Sequence, residues 1–160
     1  MSVEEDERTA MRDSAGSRLA LIAESYARIT GEPLVEGSPE DLEEALWHSP
    51  HVILVHGDEP VPRIFYANRQ ALDLYEMTAE AFIGMPSHLC AEPTRRHERV
   101  KVLTELEKRN LVEVDTGVRI ASSGRRFRLV RAKSWNLLDE HGAKHGVVAY
   151  YLEWRHLDPA

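Results

Sequence analysis

A single cysteine, Cys90, stands among the 160 residues, which excludes a disulfide framework and any four-cysteine zinc site. The nine glycines are scattered. Neither G-x-G-x-x-G nor G-x-x-x-x-G-K occurs, so there is no phosphate-cradling loop. G-x-S-x-G and H-E-x-x-H are missing as well, which removes the commonest serine-nucleophile and zinc-hydrolase signatures. No apolar run approaches the ~20 residues of a membrane span. The opening MSVEEDERTAMRD is acidic where a secretory signal would be basic and then apolar. Cations are the scarcer charge, 20 Lys+Arg against 27 Asp+Glu for a net −7, the wrong balance for a surface built wholly for nucleic acid or anionic membrane. What survives these exclusions is the expectation of one soluble, cytoplasmic domain in a reducing compartment.

What is present is enough for a core. Hydrophobic residues make up 42% of the chain and charged residues 29%, with Trp, Tyr, Phe, Val, Ile and Leu plentiful after about residue 45. The charge is unevenly divided. Residues 93–134 hold 12 Lys+Arg and 5 Asp+Glu, net +7, which leaves 8 against 22, net −14, in the remainder.

Residues 1–13 lack periodicity and are expected to form a frayed acidic tail. From Ser14, Leu19, Ile22, Ala23, Tyr26 and Ile29 recur at helical spacing until Gly31 and Pro33, so residues 14–37 read as a helix and linker. This stripe suits either a cap on a sheet or a homodimer contact. Ser38, Pro39 and Asp41 open a second helix in capping-box form. Val52–Val55 and Arg63–Ala67 read as strands around the turn His56-Gly57-Asp58-Glu59-Pro60. Asn68 and Thr78 each cap a short helix, and Gly84 stops the second. A longer helix is expected over 94–109 with Val100, Leu103 and Leu106 on one face. Three strands follow: 112–120 with Arg119 on the polar side of the alternation, 126–136, and 147–154. Their hairpin links, Ser122-Ser123-Gly124 and Asp139-Glu140-His141-Gly142, make them antiparallel. The fold class is α+β, a five-stranded antiparallel sheet with helices on one face, plus two amino-terminal helices.

The stretches IFYANRQALDLYEMTAEAFIG and LVEVDTGVRIASSGRRFRLVRAKSWNLLDEHGAKHG resemble the PAS pattern, in which helices are inserted after the second strand of such a sheet. More narrowly, LVHGDEPVPRIFYANRQALDLYEM, IGMPSHLCAEP, TGVRIASSGRRFRL and WNLLDEHGAKHG are similar to the MEKHLA domain, a PAS-related family. In plants that domain sits at the carboxyl end of class III homeodomain–leucine zipper transcription factors. The resemblance runs from about Ser25 to Trp154 and places the domain at 38–156. It implies a sensory or regulatory binding module; a small ligand or a protein is the expected partner, and a homodimer the expected assembly. It carries over no catalytic residues. At His88 and Cys90 this chain departs from the Arg and Ser of that family, which opens a haem or metal ligand at His88 or His97 as an alternative. The light-sensing PAS branch places a reactive cysteine three residues after the glycine that ends the short helix. Ser87 occupies that position here, so a flavin adduct is disfavoured.

Two further readings concern the surface and the pocket. Arg95, Arg96, Arg99 and Lys101, with Arg125, Arg126 and Arg128, form a basic segment, yet no helix-turn-helix, zinc finger or basic zipper accompanies them. Nucleic acid is therefore not the expected partner. The expected ligand pocket lies between the sheet and the inserted helices, walled by Phe82, Met85, His88, Leu89 and Cys90. Opposite these stand Phe127 and Leu129. If their strand phase continues, Arg131, Lys133 and Trp135 face the same pocket and suit an anionic or polar ligand. A bulge near Val130 would reverse that phase, turning Val130 and Ala132 inward and both cations to solvent.

Overall fold

A computed structural model describes residues 2–157. Its elements are α1 (Val3–Ala15), α2 (Arg18–Thr30), a 3-10 turn (Pro39–Asp41), α3 (Leu42–His48), β1 (Val52–Gly57) and β2 (Ile64–Ala67). Then come α4 (Arg69–Tyr75), α5 (Ala79–Phe82), two 3-10 turns (Ser87–Cys90 and Pro93–Arg95) and α6 (Arg96–Leu106). Strands β3 (Leu111–Val114), β4 (Val118–Ile120), β5 (Arg126–Leu138) and β6 (Lys144–His156) complete it. The sheet is antiparallel in the order β2-β1-β6-β5-β3, and β4 also pairs with β5.

Six strands thus fill five positions. The expected strand over 112–120 is broken into β3 and β4 around Gly117, whose φ of +128° takes the chain out of the pleat. The break changes the phase. Arg119, expected on the polar side, is 6% exposed.

The expected frayed tail is instead a helix. Ser2 Oγ accepts from the Glu5 amide, and Glu4, Glu5 and Asp6 lie in the first turn, where the helix dipole favours acids. Met11 and Ala15 are buried. Arg8 Nε donates to both carboxylate oxygens of Glu43 at 2.9 and 3.0 Å. Glu7 accepts from the Ala79 amide at 2.9 Å, and Ser14 Oγ donates to the Phe65 carbonyl at 2.6 Å. The Ser2 cap and the acidic first turn are local signals that sequence reasoning missed, whereas the Glu43, Ala79 and Phe65 anchors are remote and leave no trace in the tail's own pattern. Gly16 separates α1 from α2, which begins at Arg18 rather than at Ser14.

Helix α2 lies on the face of the sheet opposite the inserted helices. Trp135 Nε1 donates to the Ile22 carbonyl at 3.3 Å, and the Trp135 ring meets Tyr26 edge-on at 4.8 Å between centroids. Arg28 latches the far end to the Leu138 and Asp139 carbonyls at 3.1 and 2.7 Å. The amphipathic stripe therefore caps the chain's own sheet.

Two expected caps form and one does not: Ser38 Oγ donates to the Asp41 carboxylate at 3.0 Å and caps no amide, so the expected capping box is absent. Thr78 Oγ1 accepts from the Ala81 amide at 3.2 Å. Asn68 Oδ1 accepts from the Ala71 amide at 3.1 Å but also from Ile53 at 3.0 Å, while Nδ2 donates to the Leu46 and His51 carbonyls at 3.0 and 2.9 Å. One buried amide thus ties α3, β1 and α4 together. Helix α6 is shorter than the expected 94–109, and its apolar face differs: Val100 is 57% exposed and Leu106 alone is fully buried.

Candidate functional site

Between the sheet and α6 lies a cavity of about 60 Å³. Leu54 and His56 of β1, Leu129, Ala132 and Ser134 of β5, and Val147, Ala149 and Tyr151 of β6 form its floor. Arg99, Val102 and Leu103 of α6 roof it, with Ser87 and Cys90 from the preceding 3-10 turn, while Val114 and Arg119 close the β3–β4 side.

The floor owes its identity to a bulge in β5. Leu129 pairs with Trp154 and Arg131 with Glu153, but Ala132 pairs with Tyr151, so the register slips on both sides of Arg131. The slip moves Ala132 and Ser134 to the cavity face. Arg131 turns to solvent. Lys133 and Trp135 turn to the opposite face, where Lys133 Nζ donates to Tyr26 Oη at 3.0 Å beneath α2. The expected placement of Arg131, Lys133 and Trp135 in the pocket is therefore corrected, and the cause is the irregularity at Arg131, where β5 and β6 break alternation together and then resume their former register.

Of the other expected lining residues, the cavity gathers Cys90 and Leu129. Phe82 and Phe127 are fully buried beside it, both packed on Tyr75 at 5.4 and 5.3 Å. Met85 and Leu89 lie outside this lining but meet Phe82 and Cys90 around a second cavity of about 170 Å³. His88 also lies outside the lining; its carbonyl accepts from Arg96 Nε at 3.2 Å. Among the described residues, no three His, Cys, Asp or Glu side chains converge on a metal-sized site.

The electrostatics of the cavity are one-sided. Arg99 Nη2 donates to Ser87 Oγ at 2.7 Å. Arg119 Nη1 makes a 3.2 Å bond to the Val118 carbonyl. Neither guanidinium forms an ion pair among the described residues, whereas Arg8, Arg28, Arg69, Arg95, Arg109 and Arg126 all do. Glu98 lends its charge to Arg119 from outside the cavity lining, without an ion pair. Burial pushes the Cys90 thiol up to about 11, so it is protonated at neutral pH and is no ready nucleophile. Burial likewise raises the phenols of Tyr75 and Tyr151, which share a hydrogen bond of 2.8 Å. His56 is pushed down to about 4, chiefly by burial, and is neutral.

Sequence reasoning missed Arg99, Arg119, Ser87 and His56 as lining residues. Arg119 had a readable signal. An isolated glycine inside an alternating strand pattern marks a bulge or break, and Gly117 sits two residues before it. A Cβ on Gly117 would lie 3.1 Å from Arg119 Nη1, so the turn and the guanidinium are fitted to one another.

An antiparallel sheet with helices inserted after its second strand and a cavity beneath the following helix defines the PAS-like class. Solved structures agree on the fold. The PAS domain of a protein from Colwellia psychrerythraea superimposes with a TM-score of 0.61 at 15% identity, covering 74% of this chain and 95% of that one. An RNA-binding light-oxygen-voltage receptor gives a TM-score of 0.62 at 18% identity, covering 76% of this chain and 36% of that one. Within that class the MEKHLA domain matches residues 17–156, and the chain belongs to the MEKHLA domain family. Curated relatives include homeobox-leucine zipper protein HOX29 of Oryza sativa subsp. japonica, 25% identical over 142 residues, and ATHB-15 of Arabidopsis thaliana, 22% identical over 136 residues. These alignments cover 85% and 83% of this chain but 16% of each relative, so the chain spans about a sixth of their length.

The light-oxygen-voltage likeness calls for a test of flavin. Ligand pockets for cofactor-sized molecules span roughly 300–1,000 Å³, against about 60 Å³ here. The position facing the cavity after Gly84 is Ser87, without a thiol, and Arg99 is hydrogen-bonded across it. The residues present do not fit a flavin. No helix among the described residues is long and apolar enough to cross a membrane.

Proposed function

We propose that this chain is a sensory or regulatory module that acts by binding, without making or breaking bonds. A small ligand enters the cavity beneath α6, and the change in α6 packing is read by a protein partner or a second copy of the chain. The observation that carries this reading is the construction of the roof. Helix α6 buries Leu106 fully and otherwise leans on the sheet through Val102, Leu103 and Arg99 around the cavity. A helix with so little buried apolar surface has a low cost of local opening, and a ligand beneath it shifts that equilibrium by its differential affinity for the two states.

Hydrogen exchange of the intact chain, with and without ligand, tests this. Amides of α6 are expected to exchange faster than those of β5 and β6 without ligand and to slow selectively when the cavity is filled. Uniform protection in both conditions would sink the sensor reading. Native mass spectrometry and a visible spectrum of freshly purified protein provide a second arm, and a bound chromophore there would contradict the small-ligand cavity. Size-exclusion chromatography with light scattering tests the homodimer.

A further inference from the structure

Arginine buried in an apolar wall is costly unless its charge is matched. Arg119 is 6% exposed, and its one hydrogen bond among the described residues goes to the adjacent Val118 carbonyl. Arg99 reaches the same cavity from α6, where burial and the charge of Arg119 disfavour its own. The nearest acid, Glu98, favours the Arg119 charge without pairing with it: its Oε2 accepts from the Val118 amide at 3.2 Å and its Oε1 pairs with Arg95 at 3.5 Å. The cavity is therefore lined by two cations and the neutral Ser87 and Tyr151 together with the aliphatic side chains of Leu54, Val102, Leu129 and Val147.

We propose that this cavity binds a short-chain monocarboxylate, its head group held between Arg119 and Arg99 and its tail against the aliphatic wall. The proposal rests on the cavity being the sensory site and names the chemistry it takes. Guanidinium groups match carboxylates through paired N–H donors. The size sets the tail. An apolar cavity of about 150 Å³ holds the six heavy atoms of benzene, so one of about 60 Å³ holds roughly two or three as it stands. A carboxylate of about four or five enters only as α6 lifts, the opening on which the sensory reading already rests. An inorganic oxyanion would leave the aliphatic wall without contacts, whereas acetate or propionate satisfies both kinds of side chain. Binding also joins α6, through Arg99, to β4, through Arg119, and so fastens the roof to the sheet.

The test is an NMR titration of the intact chain with sodium propionate, with ionic strength held constant by sodium chloride, beside its neutral isostere propanamide. Propionate is expected to shift amides of Ser87, Cys90, α6 and β4 to saturation, at least tenfold more tightly than propanamide. Arg119→Gln and Arg99→Gln are each expected to lose tenfold or more in propionate affinity. Arg99 is only partly buried, so its variant tests the idea even if Arg119→Gln fails to fold. Equal affinity for propanamide and propionate would overturn the carboxylate while leaving the cavity as a ligand site. Sodium nitrate binding as tightly as propionate would overturn it in favour of an inorganic oxyanion. No response of cavity amides to any of the three would overturn both the ligand class and the sensory-site reading.

Discussion

Replacing Asn68 by Ala removes four hydrogen bonds in one step. Two buried amides, Ile53 and Ala71, lose their acceptor, and two carbonyls, Leu46 and His51, lose their donor. Leaving such groups unpaired costs ~1–3 kcal/mol each. Taking the lower bound, because water can reach the His51 end, the loss is about 4 kcal/mol. That is a large share of the ~5–15 kcal/mol that holds a domain together, yet the variant should still fold. Asn68→Asp keeps both acceptor bonds but turns a carboxylate toward two carbonyls. Its deficit should equal or exceed that of Ala at pH 7 and shrink as the pH falls, because a protonated acid regains one donor. Urea unfolding of the three proteins at pH 7 and pH 4.5, read by linear extrapolation, measures both effects. A loss below 1 kcal/mol for Asn68→Ala would refute the view that this side chain joins α3, β1 and α4.

Three other outcomes follow from the same geometry. His56 titrates near 6.5 when unfolded and at about 4 when folded, so between these values the unfolded chain binds more protons. Its contribution is complete above pH 6.5, and on the order of 3 kcal/mol is lost as pH falls to 4; the wild type should show a steeper pH–stability slope there than His56→Gln, and equal slopes would contradict the burial. Gly117→Ala places a Cβ at φ +128° and 3.1 Å from Arg119 Nη1, costing about 1–2 kcal/mol and weakening propionate binding. Gly124→Ala, at φ +91° with nothing near its Cβ, should strain the backbone without touching affinity. Trp135→Ala should cost about 4 kcal/mol and accelerate amide exchange throughout α2; exchange confined to β5 would show that α2 is held by other contacts.

The parts legible in the sequence were those with local causes. Asn68 and Thr78 cap their helices through amides three residues ahead, and Asp139 closes its hairpin by accepting from His141 and Ala143. Helix α1 was only partly legible: its Ser2 cap is local, but Glu43, Phe65 and Ala79 hold it from far along the chain. The pocket was half legible for a related reason. Alternation says which residues share a face, but a bulge resets it, and neither Gly117 nor Val130 announces how far the register slips. Cations on an apolar wall were expected at Arg131 and Lys133 of β5; the two guanidiniums that line the cavity come from other elements, Arg119 of β4 and Arg99 of α6.

The bulge in β5 behaves like a reading-frame shift written in three dimensions. Upstream of Val130 the odd-numbered residues belong to the cavity; downstream the even-numbered ones do. Removing the extra residue there would leave Ala132 and Ser134 facing the cavity on a regular strand, whereas keeping it and flattening the break would hand the cavity Lys133 and Trp135 and withdraw both from α2. Point substitutions along β5 alter either the pocket or the seat of α2. The phase break at this one position is what keeps the two apart.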